Sequence, residues 1–456
     1  MQFMPITRRS FLAASAALTA FPAVAALPAS GQVDVVIIGA GVAGIAAGRR
    51  LAAAGKRIAL VEASDRVGGR CVTDDHLFGV PYDRGARWLH TADVNPLTPL
   101  AAAAKIDVEK APAGYSLRVG RRNAREGEME EFLAAFFRSR RSISEAGRGK
   151  TDMACLRALP KDLGALGPVI EFVLGPFQFG KDLAEISAMD FARAADRDGD
   201  AFCRQGLGTL VARLAQGLPI QRSAAVTRIN FSGRAVMVET TAGNLTAPSV
   251  IITVSTNVLA SGKIKFTPAL PKRVLDAAAR LSLGSYDHIV LELAGNPLGL
   301  QNDEIVFEKA AGQRTAALLA NIRDTSLCVI EVGGSFGRSL SAQGEAAMTA
   351  FGIEWLSDLY GAGIRDSVRR RHATQWNAEP WTLGAFSGAS PGFSGARRAL
   401  MEPVSNRLFF AGEAAHETLW GTVGGAWESG ERVAEAIING PVGSVPGRQQ
   451  RRPRRR

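Results

Sequence analysis

The sequence predicts an α/β protein that contains a parallel β-sheet. The first observation is a run of β-branched residues over 33–38, which is typical of a buried parallel strand. The second is a glycine-rich turn that is followed by a predicted helix over about 42–54. The third is a second predicted strand over 57–61 that ends at an acidic residue. This order of strand, glycines, helix, strand and acid indicates a Rossmann-type dinucleotide-binding domain.

The glycines of this turn have separate roles. Gly39 allows a tight turn, Gly41 lets a pyrophosphate approach the backbone, and Gly44 lets the helix pack on the strand. Glu62 lies 23 residues beyond Gly39, where a carboxylate accepts the hydroxyls of an adenosine ribose. An acid at this point favours a ribose without a 2′-phosphate, and these residues alone leave NAD and FAD both open.

The composition is that of a soluble globular protein. The 456 residues correspond to roughly three structural units at about 150 residues per domain. Apolar residues at 46% and charged residues at 21% exclude a disordered chain and a disulfide scaffold. The four cysteines form no Cys-x-x-Cys pair and no Cys/His pattern of a metal site, so no metal is predicted. Their pairing and the oligomeric state stay open.

The formal net charge of +11 is concentrated at the chain ends. Six positive charges lie in the last nine residues and two in the first nine, which leaves +3 on residues 10–447. The Pro- and Arg-rich end cannot bury apolar surface. We therefore interpret residues 441–456 as a disordered basic tail that touches anionic surfaces without a specific nucleic-acid partner.

The N-terminus contains an arginine pair before an alanine-rich apolar stretch. Arg8 and Arg9 stand in the segment Thr-Arg-Arg-Ser-Phe-Leu, which resembles a twin-arginine export signal. We predict that residues 1–30 are the signal peptide, that the twin-arginine export machinery is a partner, and that the protein is periplasmic or secreted. A buried N-terminal helix and a membrane anchor are the alternatives. Because this route carries folded proteins, it is consistent with a cofactor bound before export.

Two motifs follow the first acid. Residues 66–70 read Arg-Val-Gly-Gly-Arg, and residues 83–90 read Asp-Arg-Gly-Ala-Arg-Trp-Leu-His. With the glycine turn, they resemble the flavin-containing amine oxidase (monoamine oxidase-like) family of FAD-dependent oxidoreductases. The resemblance implies FAD as the cofactor. Its implied contacts in these motifs are Gly69 and Arg70 at the pyrophosphate and Ala86, Arg87 and Trp88 along the flavin ring.

The stretch 206–271 carries the same resemblance and looks like the returning half of the FAD domain. The resemblance implies that Val226 contacts adenine through its backbone; an ordinary core strand is the alternative. The alternating strand signals of this stretch also predict a β-meander beside the parallel sheet.

A further signature lies near the C-terminus. A predicted strand ends in Gly412 and Glu413, and a predicted helix opens near Thr422 and Val423. The resemblance places Glu413 at the ribityl hydroxyls and the positive helix terminus at the pyrimidine edge of the flavin.

The remaining segments are predicted to form an α+β substrate-binding domain that is interleaved in sequence with the FAD-binding domain. Their resemblance to the family is weaker. The predicted order is a signal peptide at 1–30, the FAD-binding domain at 31–90, 200–271 and 391–440, the substrate domain at 91–199 and 272–390, and the tail at 441–456.

His288 occupies a position of special interest. In the family this place usually holds a lysine that reaches flavin N5 through water. A histidine is cationic only part of the time at neutral pH, so the electron acceptor stays open between oxygen and an exported electron carrier. A core histidine bonded to a backbone carbonyl is the alternative.

The resemblance also implies a substrate cage. Phe386 falls at one wall of the family's aromatic cage and Thr422 at the other, where Trp420 is the candidate replacement for the missing ring. Ala385 stands where covalently flavinylated relatives have a cysteine, so non-covalent FAD is expected, with Trp381 against the cofactor. Ordinary core packing is the alternative for these aromatic residues.

The predicted function is FAD-dependent oxidation of a small-molecule amine. A hydride passes from the carbon next to nitrogen to flavin N5, and water hydrolyses the imine. If Arg87 meets a substrate carboxylate, the substrate is an amino acid rather than a simple amine. The alternatives are a flavin-dependent dehydrogenase or desaturase acting on a carbon–carbon bond, and a non-catalytic flavin-binding protein.

Overall fold

A computed structural model describes residues 33–111, 114–196 and 199–440. The predicted signal peptide at 1–30 and the predicted basic tail at 441–456 lie outside the described residues. Within the described residues, no helix is both long and apolar enough to span a membrane. No group of His, Cys, Asp and Glu side chains in that part of the chain is arranged to hold a metal ion. All four cysteines are buried and unpaired with one another.

The strands, numbered in chain order, are short in most cases. They are β1 Val35–Ile38, β2 Ile58–Val61, β3 Thr73–Asp74, β4 Tyr82–Asp83, β5 Trp88–Leu89, β6 Val108–Lys110, β7 Ser116–Val119, β8 Arg122–Asn123, β9 Ala201–Cys203, β10 Ile220–Gln221, β11 Val226–Asn230, β12 Val236–Thr240, β13 Gly243–Ala247, β14 Ser249–Ile252, β15 Lys265–Thr267, β16 Tyr286–Leu293, β17 Ile305–Glu308, β18 Ala317–Leu319, β19 Leu327–Gly333, β20 Val368–Ala373 and β21 Leu408–Phe410.

The helices range from one turn to six. They are α1 Val42–Ala53, α2 Leu97–Ala103, α3 Glu126–Gly147, α4 Gly167–Phe172, α5 Ala188–Arg193, α6 Leu207–Leu214, α7 Thr256–Ala260, α8 Lys272–Arg280, α9 Gly334–Ser341, α10 Glu345–Tyr360, α11 Ile364–Ser367, α12 Ala396–Met401 and α13 Val423–Asn439. A π-helical turn, Val173–Phe177, continues α4.

The first sheet has the strand order β10-β2-β1-β14-β21, and every neighbouring pair is parallel. The four residues of β1 are all buried, as expected for a strand covered on both faces. Helices α1 and α13 pack together, and a Cβ at Gly430 would lie only 2.2 Å from the Ala43 carbonyl oxygen. The predicted α/β class with a parallel sheet is confirmed, and the carboxyl ends of its strands converge on one edge.

The second sheet contains the predicted β-meander, formed by β11, β12 and β13, and differs from the prediction at β14 and β15. Its order is β13-β12-β11-β15, in which the hairpins are antiparallel but β15 runs parallel to β11. Strand β14, which the sequence pattern placed in the meander, instead joins the parallel sheet beside β1. The reason is its fully apolar triplet Val250–Ile252, which is buried on both faces.

The third sheet contains strands from the predicted substrate-binding domain. Its seven strands are ordered β20-β16-β19-β18-β17-β7-β8, and all pairs are antiparallel except β17 with β7. These strands come from both segments that the sequence assigns to a substrate domain. A small sheet, β5-β9-β6, connects this region to the nucleotide-binding end. The domain boundaries themselves stay a prediction.

Candidate active site

A continuous cavity of about 870 Å³ runs from the edge of the parallel sheet to the seven-stranded sheet. We call the lining from 38–90 other than Arg87 and His90, together with that from 224–264, 376–385 and 412–426, the nucleotide half. We call the lining from 115–200 and 286–331, together with Arg87, His90 and Phe386, the substrate half. The structure therefore joins segments that are far apart in sequence in one site.

Most of the site residues predicted from the sequence line this cavity, although their individual roles stay predictions. The lining residues among them are Gly39, Gly41, Glu62, Gly69, Arg70, Ala86, Arg87, Trp88, Val226, His288, Trp381, Phe386, Gly412, Glu413, Thr422 and Val423. Gly44 and Trp420 lie outside the lining.

The glycine turn has the geometry that its sequence predicts. Gly39 has a φ of +103°, which favours glycine. A Cβ at Gly44 would lie 1.9 Å from the Gly39 carbonyl oxygen, so only glycine lets α1 begin here. A Cβ at Gly41 would meet nothing within 4 Å, because this residue faces the open cavity. Gly44 therefore serves packing, and Gly41 leaves room for a ligand.

Glu62 is held at the end of β2 by the backbone around the turn. Its side chain is buried, with Oε2 accepting from the Ala40 amide at 2.7 Å and Oε1 from the Ser64 amide at 2.9 Å. Val226 lines the same end of the cavity. The position and chemistry of this carboxylate fit a ribose with two free hydroxyls.

Glu413 is a buried carboxylate at the centre of a polar network. It accepts from Arg70 Nη1 at 2.9 Å, from Ser387 Oγ at 2.7 Å and from the Gly421 amide at 2.9 Å. Burial on its own would raise the pKa of Glu413, but the charges of Arg70 and Arg397 and the hydrogen bonds lower it overall. The carboxylate is therefore ionised at neutral pH. Because Arg70 is bound to it, a pyrophosphate contact by Arg70 stays a prediction.

The N-terminus of α13 borders the cavity. Thr422 caps this helix, because its Oγ1 accepts from the Gly425 amide at 2.9 Å and donates to the Leu419 carbonyl at 2.6 Å. Val423 is the first helical residue and lines the cavity. The 17-residue helix therefore directs its positive end towards this site.

The nucleotide half fits an extended dinucleotide. Neither Gly41 nor Gly412 has anything within 4 Å of a built Cβ, so backbone is open to a ligand at two points along the cavity. Glu62 supplies an acceptor at one end, and the N-terminus of α13 supplies donors at the other. Trp381 lines the cavity between them and is partly exposed.

His288 is a neutral hydrogen-bond acceptor. Its Nε2 lies 2.9 Å from Arg87 Nη2, and because a guanidinium only donates, Nε2 accepts. Burial first, and the neighbouring charge of Arg87 second, lower the pKa of His288 well below its usual value. The sequence predicted a histidine that is charged part of the time. In the structure the fixed cation is Arg87, and His288 carries no charge at neutral pH.

Arg87 already has an internal carboxylate partner. Its Nη2 lies 3.1 Å from Oε1 of Glu331, and both side chains are at most 5% exposed. Burial raises the pKa of Glu331, while Arg87 acts in the opposite direction. The predicted contact of Arg87 with a substrate carboxylate is therefore not favoured, since its charge is compensated inside the protein.

Sequence reasoning missed Glu331 and Tyr286. Glu331 is the cross-strand partner of His288 in the pairing of β16 with β19. Tyr286 precedes His288 by two residues on β16, which places it on the same face. Burial, with the charge of Glu331, raises the pKa of Tyr286 well above its usual value. Because side chains alternate along a strand, the sequence could have placed Tyr286 on the same face as His288. The strand register that brings Glu331 to His288 could not be predicted from the sequence.

The aromatic wall differs from the predicted cage. Phe386 lines the cavity as predicted, and its ring centroid lies 5.6 Å from that of Tyr286. Trp420 was proposed as the second ring, and this proposal is wrong. Trp420 is fully buried outside the lining, with its ring centroid 4.9 Å from that of Phe179 and 4.3 Å from Arg397 Cζ. Core packing directs the indole away from the cavity, so Tyr286 is the ring beside Phe386.

Comparison with known proteins is consistent with this geometry. The model of the family described as flavin containing amine oxidoreductase matches residues 42–438. Over 439 residues the chain is 26% identical to lysine-specific histone demethylase 2 of Homo sapiens, covering 89% of this chain and 53% of that protein. The chain thus spans about half the length of that relative. It is also 26% identical to polyamine oxidase 4 of Oryza sativa subsp. japonica, with 88% of both chains covered.

Two solved structures have the same fold. A putrescine oxidase bound to putrescine has a TM-score of 0.75 at 20% identity, covering 90% of this chain and 99% of that chain. Cyclohexylamine oxidase from Brevibacterium oxydans IH-35A has a TM-score of 0.75 at 21% identity, covering 89% and 99%. The family model matches most of the chain, and the dinucleotide cleft agrees with that match. The chain therefore belongs to the flavin-containing amine oxidoreductase family, with FAD as its cofactor.

Proposed function

We propose that the protein is an amine oxidase that uses FAD. Bound FAD would supply the acceptor for the hydride from the carbon next to nitrogen, with oxygen as the final acceptor of the two electrons. The proton released from nitrogen goes to solvent, and water converts the imine to a carbonyl compound and the free amine or ammonia. The single observation that supports this proposal most is the continuity of the cavity, in which a dinucleotide cleft opens directly onto an apolar, aromatic-walled half.

The substrate half is suited to holding a neutral amine. Phe386 and Tyr286 line the cavity with their rings 5.6 Å apart, and Phe177 and Phe191 add apolar lining. An apolar wall disfavours the ammonium form, because burial favours the uncharged state of a base. Aromatic rings also orient an amine and exclude water. The chain therefore contributes positioning and desolvation, and no dedicated general base is required.

The polar groups beside this wall keep their charges fixed. Arg87 and Glu331 compensate each other, and His288 accepts from Arg87 as a neutral ring. His288 does not exchange a proton with a substrate near neutral pH, because burial and the charge of Arg87 hold its pKa well below that range. We propose that this cluster supplies a constant electrostatic environment at the reacting end.

We propose that the nucleotide half holds FAD without a covalent bond. Glu62 accepts ribose hydroxyls, Glu413 accepts ribityl hydroxyls, and the N-terminus of α13 lies at the flavin ring. Ala385 offers only a methyl group and a carbonyl, which accepts from Arg70. A test is acid precipitation of the protein, after which the proposal expects all flavin in the supernatant.

Anaerobic mixing of the FAD-bound protein with amines tests the activity. Bleaching of the oxidised flavin band by an amine, but not by the matched alcohol, is the expected result, and colour returns when air is admitted. Bleaching by compounds without nitrogen would instead favour dehydrogenation of a carbon–carbon bond. A flavin that nothing bleaches would favour a non-catalytic flavin-binding protein and overturn the proposal.

We also propose export by the twin-arginine route to the periplasm or the medium. The support is the pair Arg8 and Arg9 before an alanine-rich stretch. Cell fractionation tests this proposal. The wild-type chain is expected outside the cytoplasm, and the R8K/R9K variant is expected to stay inside. A wild-type chain that remains in the cytoplasm would overturn the proposal.

A further inference from the structure

The carboxylates that line the substrate half already have side-chain partners. Among the described residues, three carboxylates line the substrate half, and each contacts a basic side chain. Glu331 lies 3.1 Å from Arg87, Asp200 lies 2.8 Å from Nδ1 of His90, and Asp196 forms an ion pair with Arg140. None of the carboxylates among these described residues is left without a basic partner.

The same lining carries one further arginine beyond the two that are paired. Arg148, the C-cap residue of α3, lines the substrate half together with Arg140 of that helix. A ligand ammonium placed here meets arginines, and it can reach Glu331 or Asp196 only by displacing one of them. Burying an ammonium without a paired carboxylate is costly. The electrostatics therefore disfavour a substrate with a second cationic group.

The rest of the substrate half is apolar. Its rings include those of Phe177, Phe179, Phe191, Tyr286 and Phe386, and Ile305 lies among them. Two pairs of these rings are in contact, since the centroid of Phe179 lies 5.3 Å from that of Phe191 and the centroid of Tyr286 lies 5.6 Å from that of Phe386. Such a surface gains free energy from burying an apolar or aromatic group, which packs edge-to-face or offset on the rings.

We propose that the substrate is a monoamine whose carbon skeleton is apolar or aromatic, and not a diamine or polyamine. The inference rests on the proposed amine oxidation and names the substrate class of that site. It separates this chain from polyamine oxidase 4 and putrescine oxidase, whose names state cationic substrates. The single amino group reaches the reacting end as the free base, and the skeleton fills the aromatic half.

The test is an anaerobic titration of the FAD-bound full chain with 2-phenylethylamine, hexylamine, putrescine and spermidine. The readout is flavin bleaching, from which an apparent Kd and a limiting rate are taken. The two monoamines are expected to have an apparent Kd at least tenfold lower than those of putrescine and spermidine. Equal or tighter binding of putrescine or spermidine would overturn the inference while leaving amine oxidation intact. If no amine bleaches the flavin, the proposed function itself fails and the inference fails with it.

A matched pair of variants tests the cause. Arg140→Gln releases Asp196 from its partner, whereas Arg141→Gln removes the neighbouring arginine, which pairs with Glu145 outside the cavity. The ratio of the apparent Kd of putrescine to that of 2-phenylethylamine is expected to fall by about threefold in R140Q and to stay unchanged in R141Q. An unchanged ratio in R140Q, or an equal fall in R141Q, would show that carboxylate pairing does not exclude the second ammonium.

Discussion

The two halves of the cavity are built in different ways. At the glycine turn of the nucleotide half, the decisive contacts join residues close in sequence, as Gly39 and Gly44 show. In the substrate half, the decisive contacts join β16 to β19 and to Arg87, the residue before β5, as the His288, Glu331 and Arg87 cluster shows. The difference teaches that residues close in sequence can form the turn of a cofactor site, whereas a substrate pocket depends on the register between distant strands.

The largest expected effect tests the local construction. Gly44→Ala places a Cβ 1.9 Å from the Gly39 carbonyl oxygen, a backbone atom that cannot move without opening the turn. We expect the free energy of unfolding to drop by about 3 kcal/mol or more, and FAD affinity to drop at least tenfold, because the turn borders the cleft that we propose for the cofactor. Urea denaturation and the flavin content after gel filtration measure both.

Gly48→Ala is the control for that variant. Gly48 lies on the same helix, and its Cβ would have its nearest contact at 3.4 Å, which is an ordinary packing distance. Alanine stabilises a helix by about 0.5–1 kcal/mol relative to glycine, so this variant is expected to retain both FAD binding and the free energy of unfolding. A G44A protein that retains both, as G48A does, would break the claim that the turn depends on local backbone contact.

The next effect tests the long-range construction. Glu331→Gln removes the carboxylate that compensates the buried Arg87 guanidinium. We expect the free energy of unfolding to fall by about 3 kcal/mol, since breaking one partner of a buried ion pair leaves a buried charge. The measurement is urea denaturation of the FAD-bound protein at pH 7.5.

The double variant R87M/E331M distinguishes a charge effect from a packing effect. Removing both charges is expected to recover most of the stability that E331Q loses, because neither charge then remains buried alone. A loss below about 1 kcal/mol in E331Q would contradict the buried pair. An additive loss in the double variant would mean that packing, not charge compensation, holds this half together.

The sequence predicted the parallel sheet and the cofactor end because their signals are local. A few consecutive residues are enough to predict the β-branched strand β1 and the turn at Gly39. Glu331 was missed because it follows His288 by 43 residues, and only the pairing of β16 with β19 brings the two together. Trp420 was misassigned because proximity to a flavin motif does not determine where a side chain packs, and here Phe179 and Arg397 hold it in the core.

A smaller effect concerns the charge state of His288. Since its pKa in the folded protein lies well below the ordinary value of 6.5, the unfolded chain binds a proton that the folded protein does not. This contribution to stability is complete above pH 6.5 and is lost as the pH falls. Relative to wild type, His288→Gln is therefore expected to gain about 1.4 kcal/mol for each pH unit below 6.5, as long as the pH stays above the pKa of folded His288.

Paired urea denaturation curves of wild type and H288Q from pH 7.5 to 5 measure this gain. The control is H76Q, which removes an exposed histidine. A constant difference between wild type and H288Q across that range would mean that His288 protonates in the folded protein, and the substrate half would then carry a titrating cation beside the fixed charge of Arg87. This outcome would break the contrast between a fixed-charge cluster and a titrating one.

The smallest effect lies where the two halves meet, at the cap of α13. Thr422→Ala removes the hydroxyl that accepts from the Gly425 amide at 2.9 Å, and the loss of such a cap costs about 1 kcal/mol. Thr422→Ser keeps the oxygen and is expected to stay within about 0.3 kcal/mol of wild type in urea denaturation. Because the capped terminus borders the cavity, T422A is also expected to weaken FAD binding, and T422S is not. If T422S weakened FAD binding as much as T422A, FAD binding would depend on the methyl group of Thr422 and not on its cap. Thr422 would then act through side-chain packing, as the residues of the substrate half do.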